Sequence, residues 1–152
     1  MKHILIIFFS IIAIAGIAQN SLTPGKNSFQ KKWVKNDSYE MVWYAMQDSL
    51  KVEIGKVITS IIVNKKTITI VTSISMNNSK SGWVDSTIAD IKTLKPIHHT
   101  SYNPQRDMLL DFGKIVTGYY HDKMKKQNLI IADTTNSAYF DSNLYPFLVG
   151  WL

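Results

Sequence analysis

Alternating apolar and polar residues predict β-strands along most of the chain after residue 39. Residues 57–63 are almost all β-branched, and residues 67–75 place Ile68, Ile70 and Ile74 on one side by a period of two. The polar turn Asn64-Lys65-Lys66 separates these two runs. The arrangement predicts a β-hairpin.

Five more runs follow the strand pattern: residues 41–46, 83–89, 107–112, 115–120 and 129–132. The last two flank the charged turn HDKMKKQ and predict a second hairpin, with a bulge at Gly113 before it. The whole pattern predicts a mainly β fold, a meander of six or seven short antiparallel strands with one polar and one apolar face.

The end of the chain predicts a short C-terminal helix. Asp141 or Ser142 is the expected cap, and Pro146 falls in the first turn. The chain then ends on the apolar run PFLVGWL. We expect this apolar end to be followed by a further segment in the natural protein, or to be covered by another chain.

The beginning of the chain predicts export. After Met1 and Lys2, an uncharged, mainly apolar run spans residues 4–18 and a polar stretch follows. This pattern is typical of a signal peptide, here residues 1–18, and places the mature protein in the periplasm or cell envelope. The run is shorter than the ~20 apolar residues of a membrane-spanning helix, so no transmembrane segment is expected after cleavage. Residues 19–38 are predicted to be a flexible leader, and residues 39–152 one domain.

Composition excludes several kinds of chemistry. The chain has no cysteine, which excludes disulfides, thiolate metal sites and a cysteine nucleophile. The net charge of +6 comes from scattered lysine pairs, which indicates a solvated surface or, alternatively, a basic face beside anionic lipid head groups. A nucleic-acid partner is not expected, because the chain is exported and its basic residues are not interleaved with aromatic ones.

Four segments carry a resemblance to a known family: YEMVWYAMQDSLKVEIGKV, WVDSTIADIKTLKPIHHTSY, LLDFGKIVTGYY and YFDSNLYPFLVGWL. They resemble an exported bacterial family of unknown function that is similar in fold to the LolA/LolB-type outer-membrane lipoprotein-sorting proteins. The resemblance implies a curved antiparallel half-barrel that holds an apolar cavity under a helical lid. In such chains more strands usually follow the C-terminal helix that Asp141 and Ser142 begin here. This sequence therefore implies an incomplete half-barrel.

The adjacent histidines His98 and His99 are the first candidates for chemistry. Neighbouring side chains on a strand point to opposite faces, so the two cannot both reach one metal ion. His121 is the only other histidine of the mature chain, and no His-Glu-x-x-His spacing occurs. We therefore predict three surface or loop histidines, with no metal site and no cofactor.

Two aspartate pairs are the other candidates for acid–base chemistry. Asp85 and Asp90 flank one predicted strand, and Asp107 and Asp111 share a strand face. Solvent-facing strand charges are the favoured interpretation of these pairs. No Gly-x-Ser-x-Gly motif occurs, so a hydrolase that joins His98 or His99 to an aspartate is the weakest of three functional hypotheses.

Large aromatic side chains lead to the preferred hypothesis. Rings of this kind could line an apolar ligand cavity, although filling an ordinary core is their more frequent role. The residues predicted to line the cavity are Trp43, Trp83, Phe112, Tyr119 and Trp151. We expect a non-enzymatic envelope protein that binds a lipid or other apolar ligand. The alternative is an interaction module that pairs with another envelope protein through an exposed sheet edge.

Overall fold

The computed structural model describes residues 23–25, 29–135 and 137–151. These residues form one sheet of eight antiparallel strands in chain order. The strands are β1 Asp37–Gln47, β2 Leu50–Val63, β3 Thr67–Met76, β4 Trp83–Asp90, β5 Pro96–Tyr102, β6 Arg106–Phe112, β7 Val116–Asp122 and β8 Gln127–Asp133. The 3-10 helices Lys31–Trp33 and Ser142–Leu144 and the helix α1 Tyr145–Trp151 complete the fold. The mainly β antiparallel meander with a short C-terminal helix is confirmed. The predicted signal peptide, residues 1–18, lies outside the described residues.

The two predicted hairpins are present. β2 and β3 pair from Val63 opposite Ile68 to Gly55 opposite Met76, because β-branched side chains favour the extended backbone on both sides of the polar turn. β7 and β8 pair around the turn that contains Lys123. Hairpin pairing between consecutive strands brings every strand next to its chain neighbours.

The sheet is open and uncurled, which corrects the expectation of a curved half-barrel. Bulges are the usual cause of strong local bending, and the pairing of the described strands shows two register shifts, at Trp43/Tyr44 and at Ile88/Ala89. The first lies beside Gly55, where a Cβ atom would stand 2.5 Å from the carbonyl oxygen of Ser75. Gly113 lies in the turn between β6 and β7 and not at a bulge, so that prediction was wrong.

The core lies between one face of the sheet and the C-terminal segment. The alternate residues Ile61, Ile68, Ile70 and Ala89 point toward α1, which contributes Leu148 and Trp151. We call this the helix side of the sheet. Asp141 caps the 3-10 helix that precedes α1, as predicted, because its side chain accepts a hydrogen bond from the backbone N–H of Asn143 at 2.9 Å.

The opposite side of the sheet, which we call the open side, is also partly apolar. Ile58, Ile62 and Val84 are exposed there, at positions that alternate with the core residues of β2 and β4. The prediction of one polar and one apolar face was therefore wrong. The reason is that β2 is apolar at successive positions, as at Ile61 and Ile62, so that both faces receive isoleucine side chains.

Two residues of the predicted leader pack against the core. Phe29 and Val34 contact the buried cluster, and the backbone N–H of Gln30 donates to the carbonyl oxygen of Trp151 at 2.5 Å. Residues 29–34 thus lie against the core and beside the C-terminal helix. No helix among the described residues is both long enough and apolar enough to cross a membrane.

Candidate functional site

The five residues predicted to line a cavity lie in different parts of the fold. Trp43, Trp83 and Phe112 belong to β1, β4 and β6 and point to the helix side, as the strand register shows. Tyr119 pairs with Leu109 and points to the open side. Trp151 is buried in the core and stacks on Phe147, with ring centroids 5.6 Å apart. The sheet separates Tyr119 from the other four residues.

Phe112 lies in a small cleft of its own. Its ring packs against Tyr139, with centroids 5.8 Å apart, and the cleft has a volume of about 310 Å³. Lys95 and Lys114 also line it.

The two other tryptophans come close together on the helix side. Met41, Val57, Ile74 and Trp83 form one cross-strand row over β1 to β4, because each pairs directly with the next. Trp43, Gly55 and Met76 form the adjacent row. We call the side chains of Met41, Trp43, Ile74, Met76 and Trp83 the tryptophan patch.

The tryptophan patch remains accessible to solvent because α1 covers a different part of the same face. The helix buries Ile61 and Ile70, which lie further along β2 and β3. Within the patch, Met41 is 52% exposed, and Trp43 and Trp83 are more than one-third exposed. The indole N–H of Trp83 donates to Asp85 Oδ1 at 3.0 Å, which fixes the ring with its apolar surface free.

On the helix side of the sheet, a cluster of polar side chains joins the sheet to the C-terminal segment. His99 Nδ1 lies 2.9 Å from Asp141 Oδ2, and both side chains are less than one-tenth exposed. Thr87 donates its hydroxyl proton to Asp141 Oδ1 at 2.6 Å and accepts from Asn143 Nδ2 at 3.1 Å. We call Thr87, His99, Asp141 and Asn143 the buried polar cluster.

The pKa of the Asp141 carboxyl reflects this environment. Burial alone would raise its pKa, but hydrogen bonds from His99, Thr87 and the backbone N–H of Asn143 outweigh that effect and lower the pKa below its ordinary value. The carboxylate is thus held in its charged form inside the protein.

The buried polar cluster does not have the arrangement of a nucleophilic triad. In a triad the hydroxyl contacts Nε2 of the histidine and the carboxylate contacts Nδ1. Here Thr87 Oγ1 lies 3.1 Å from His99 Nδ1, the same atom that contacts Asp141. Thr87 is also fully buried, so no substrate could reach its hydroxyl. The geometry therefore gives the cluster a structural task, the attachment of the C-terminal segment to β4 and β5.

His99 corrects the prediction of three surface or loop histidines, since it is buried on a strand. The cause is Asp141, a partner distant in sequence that compensates for the burial of the polar ring. His98 points to the open side, as the alternation predicted, and pairs with Asp111 Oδ1 at 2.6 Å. His121, also on a strand, contacts Asn128 Oδ1. Among the described residues, no group of three or more His, Asp or Glu side chains could hold a metal ion.

The sequence did not indicate that Thr87 and Asp141 meet. They are 54 positions apart, and each has an ordinary local role, as a strand threonine and as a helix cap. The strand pattern gave no signal for this contact, because Asp85 lies on the same face of β4 and the neighbour of Thr87 on β5 is the polar His99.

Comparison with known families gives one match. The model of DUF3108, a family of proteins of unknown function, matches residues 38–152. No curated protein and no solved structure matches the chain. The similarity in fold to lipoprotein-sorting proteins therefore stays a prediction. The match covers most of the chain, including all eight strands except the first residue of β1, and the chain belongs to the DUF3108 family.

Proposed function

We propose that this chain is a non-enzymatic exported protein of the cell envelope that holds a lipid or other apolar ligand against the tryptophan patch. One observation carries the proposal: the pairing of β1 to β4 aligns exposed tryptophan and methionine side chains from β1, β3 and β4 on one face of the sheet. Exposed apolar patches of this kind are typical of binding surfaces.

The chemistry of the patch suits an acyl chain. Tryptophan offers a large apolar surface, and the flexible thioether side chains of Met41 and Met76 adapt to ligands of different shape. The pattern of residues 1–18 supports export. The buried polar cluster supports a non-enzymatic protein, because it lacks the arrangement of a nucleophilic triad.

Binding of the apolar dye Nile red, and its displacement by palmitate, tests this proposal. We expect the double variant Met41→Ser, Trp83→Ser to bind at least about tenfold more weakly, since each large apolar side chain contributes ~1.5–3 kcal/mol when fully buried. Organic extraction of the purified protein, followed by mass spectrometry, should recover a bound lipid.

The chain offers a matched control for this experiment. Ile58 and Val84 lie on β2 and β4, are exposed to a similar extent, and point to the open side. The double variant Ile58→Ser, Val84→Ser should bind Nile red as the wild type does. If both double variants lose the dye equally, the tryptophan patch is not the binding site.

A second candidate function rests on the free edge at β8. Among the described residues this strand pairs only with β7, and its Leu129 and Ile130 are 60% and 77% exposed. An edge of this kind can accept a strand from a partner protein. The variant Ile130→Pro should then fail to recover a partner that the wild type recovers from envelope extracts, because proline cannot donate to the ladder.

A further inference from the structure

Lysine side chains gather at one end of the sheet. The turn between β2 and β3 contains Lys65, the turn between β4 and β5 contains Lys92, and the 3-10 helix before β1 contains Lys31. Both turns lie at the same end because alternate hairpin turns of an antiparallel meander share an end. Charges that are scattered in the sequence are therefore concentrated in space.

These three lysines surround an apolar cleft of about 230 Å³. Its floor consists of Phe29, Val34, Val63 and Ile91, which are partly buried and pack against the core. A fixed apolar floor with a positively charged rim is complementary to a molecule that has an apolar part and an anionic part.

The three ammonium groups are available for such a ligand. Within the described part of the chain, none of them forms an ion pair, whereas Lys56 and Lys123 are paired with Glu40 and Asp107. Asp90 is the acidic residue beside Lys92, and its carboxylate already accepts hydrogen bonds from two backbone N–H groups and the Thr93 hydroxyl of its own turn.

An exposed tryptophan lies in the sequence between two residues that line the cleft, Lys31 and Val34. Trp33 follows directly on Lys31 and Lys32, is 53% exposed, and uses its indole N–H in a hydrogen bond to Gln30 at 3.2 Å. Tryptophan is enriched at the level of lipid head groups, where its ring meets both apolar and polar surroundings.

We propose that this basic end of the sheet docks on the surface of a membrane that contains anionic phospholipid. Lys31, Lys65 and Lys92 contact the phosphate groups, Trp33 enters the head-group layer, and the cleft receives the upper part of an acyl chain. The site is separate from the tryptophan patch, so this inference rests on the export part of the proposed function and does not depend on ligand binding at the patch.

Sedimentation with vesicles tests the proposal. The chain is expressed with its own first 18 residues and recovered after export, with its N-terminus verified by mass spectrometry. We expect it to bind vesicles of phosphatidylcholine and phosphatidylglycerol in a 3:1 ratio. The triple variant Lys31→Gln, Lys65→Gln, Lys92→Gln should bind about a hundredfold more weakly, roughly fivefold for each lysine near the surface. Added salt should weaken wild-type binding.

The opposite end of the sheet supplies the control. The triple variant Lys80→Gln, Lys125→Gln, Lys126→Gln removes the same charge from exposed turn positions there and should bind as the wild type does. Equal losses in both triple variants, or equal wild-type binding to pure phosphatidylcholine vesicles, would overturn the proposal. Nile red binding without vesicles should be unchanged in both triple variants, which separates this result from a failure of the tryptophan patch.

Discussion

Asp141 is the residue through which the sheet and the C-terminal segment are joined. Its two carboxylate oxygens accept from Thr87 on β4 and from His99 on β5, while its position caps the following 3-10 helix. We expect Asp141→Asn to lower the free energy of unfolding at neutral pH by about 3 kcal/mol, because the buried donors on Thr87 and His99 lose their charged acceptor. Urea denaturation followed by tryptophan fluorescence measures this loss.

The same substitution should change the pH dependence of stability. The pKa of Asp141 is lowered in the folded protein by the hydrogen bonds that outweigh its burial. Its stabilising contribution is therefore complete above the unfolded-state pKa of about 3.9 and is lost as the pH falls through the folded-state pKa. The difference between wild type and Asp141→Asn should therefore stay constant down to about pH 5 and shrink as the pH falls below about 4.

Asp111 provides the comparison for Asp141. It also pairs with a histidine, at 2.6 Å, but its side chain is 60% exposed. Asp111→Asn should change the free energy of unfolding by less than about 1 kcal/mol, since solvent screens exposed pairs. If Asp111→Asn and Asp141→Asn lower the free energy of unfolding by similar amounts, burial is not the reason that the Asp141 pair stabilises the fold.

The helix α1 depends on the sheet for its stability. A helix of seven residues is too short to be stable by itself in water, so burial of Leu148 and Trp151 must hold it in place. We expect Leu148→Ala to cost about 2–4 kcal/mol of unfolding free energy, because Leu148 is 3% exposed in the core. The neighbouring Val149 is 85% exposed, and Val149→Ala should cost less than about 0.5 kcal/mol. Circular dichroism follows the thermal unfolding of both variants. Equal shifts of the unfolding temperature would mean that α1 does not pack on the sheet through Leu148.

The elements differ in how well local sequence predicts them. β2 and β3 were predictable because alternate β-branched residues and a polar turn carry the signal of a hairpin. The same pattern was weaker in β5, where Pro96, two histidines and two hydroxyl residues replace the usual apolar ones. The polar ring of His99 can be buried there because it contacts Asp141, a contact that no local period can reveal.

The candidate site was predictable only in part, because it too depends on contacts between residues that are distant in the sequence. Residue type indicated Trp43 and Trp83, and their approach depends on the registers of four strands. Tyr119 was assigned to the same lining, yet it falls on the open side, because one position along a strand decides the face. The basic cleft went unrecognised since Lys31, Lys65 and Lys92 are distant in the sequence and meet only when the turns align.

At the scale of the whole molecule, the two edges of the sheet differ in protection. β1 has a register shift at Trp43/Tyr44 and an ion pair between Glu40 and Lys56, both of which discourage the pairing of another strand. β8 has neither feature and exposes Ile130. We expect the purified protein to self-associate reversibly through β8 as its concentration rises.

The variant Ile130→Lys should weaken this self-association at least about tenfold, because two chains that pair along β8 would bring like charges together. Sedimentation velocity over a range of concentrations gives the dissociation constant. Ser38→Lys is the matched control, since Ser38 lies on the other edge strand, is exposed, and points to the same side of the sheet as Ile130. If Ser38→Lys weakens the association and Ile130→Lys does not, β1 is the edge that pairs, and a register shift with one ion pair is too little to protect it.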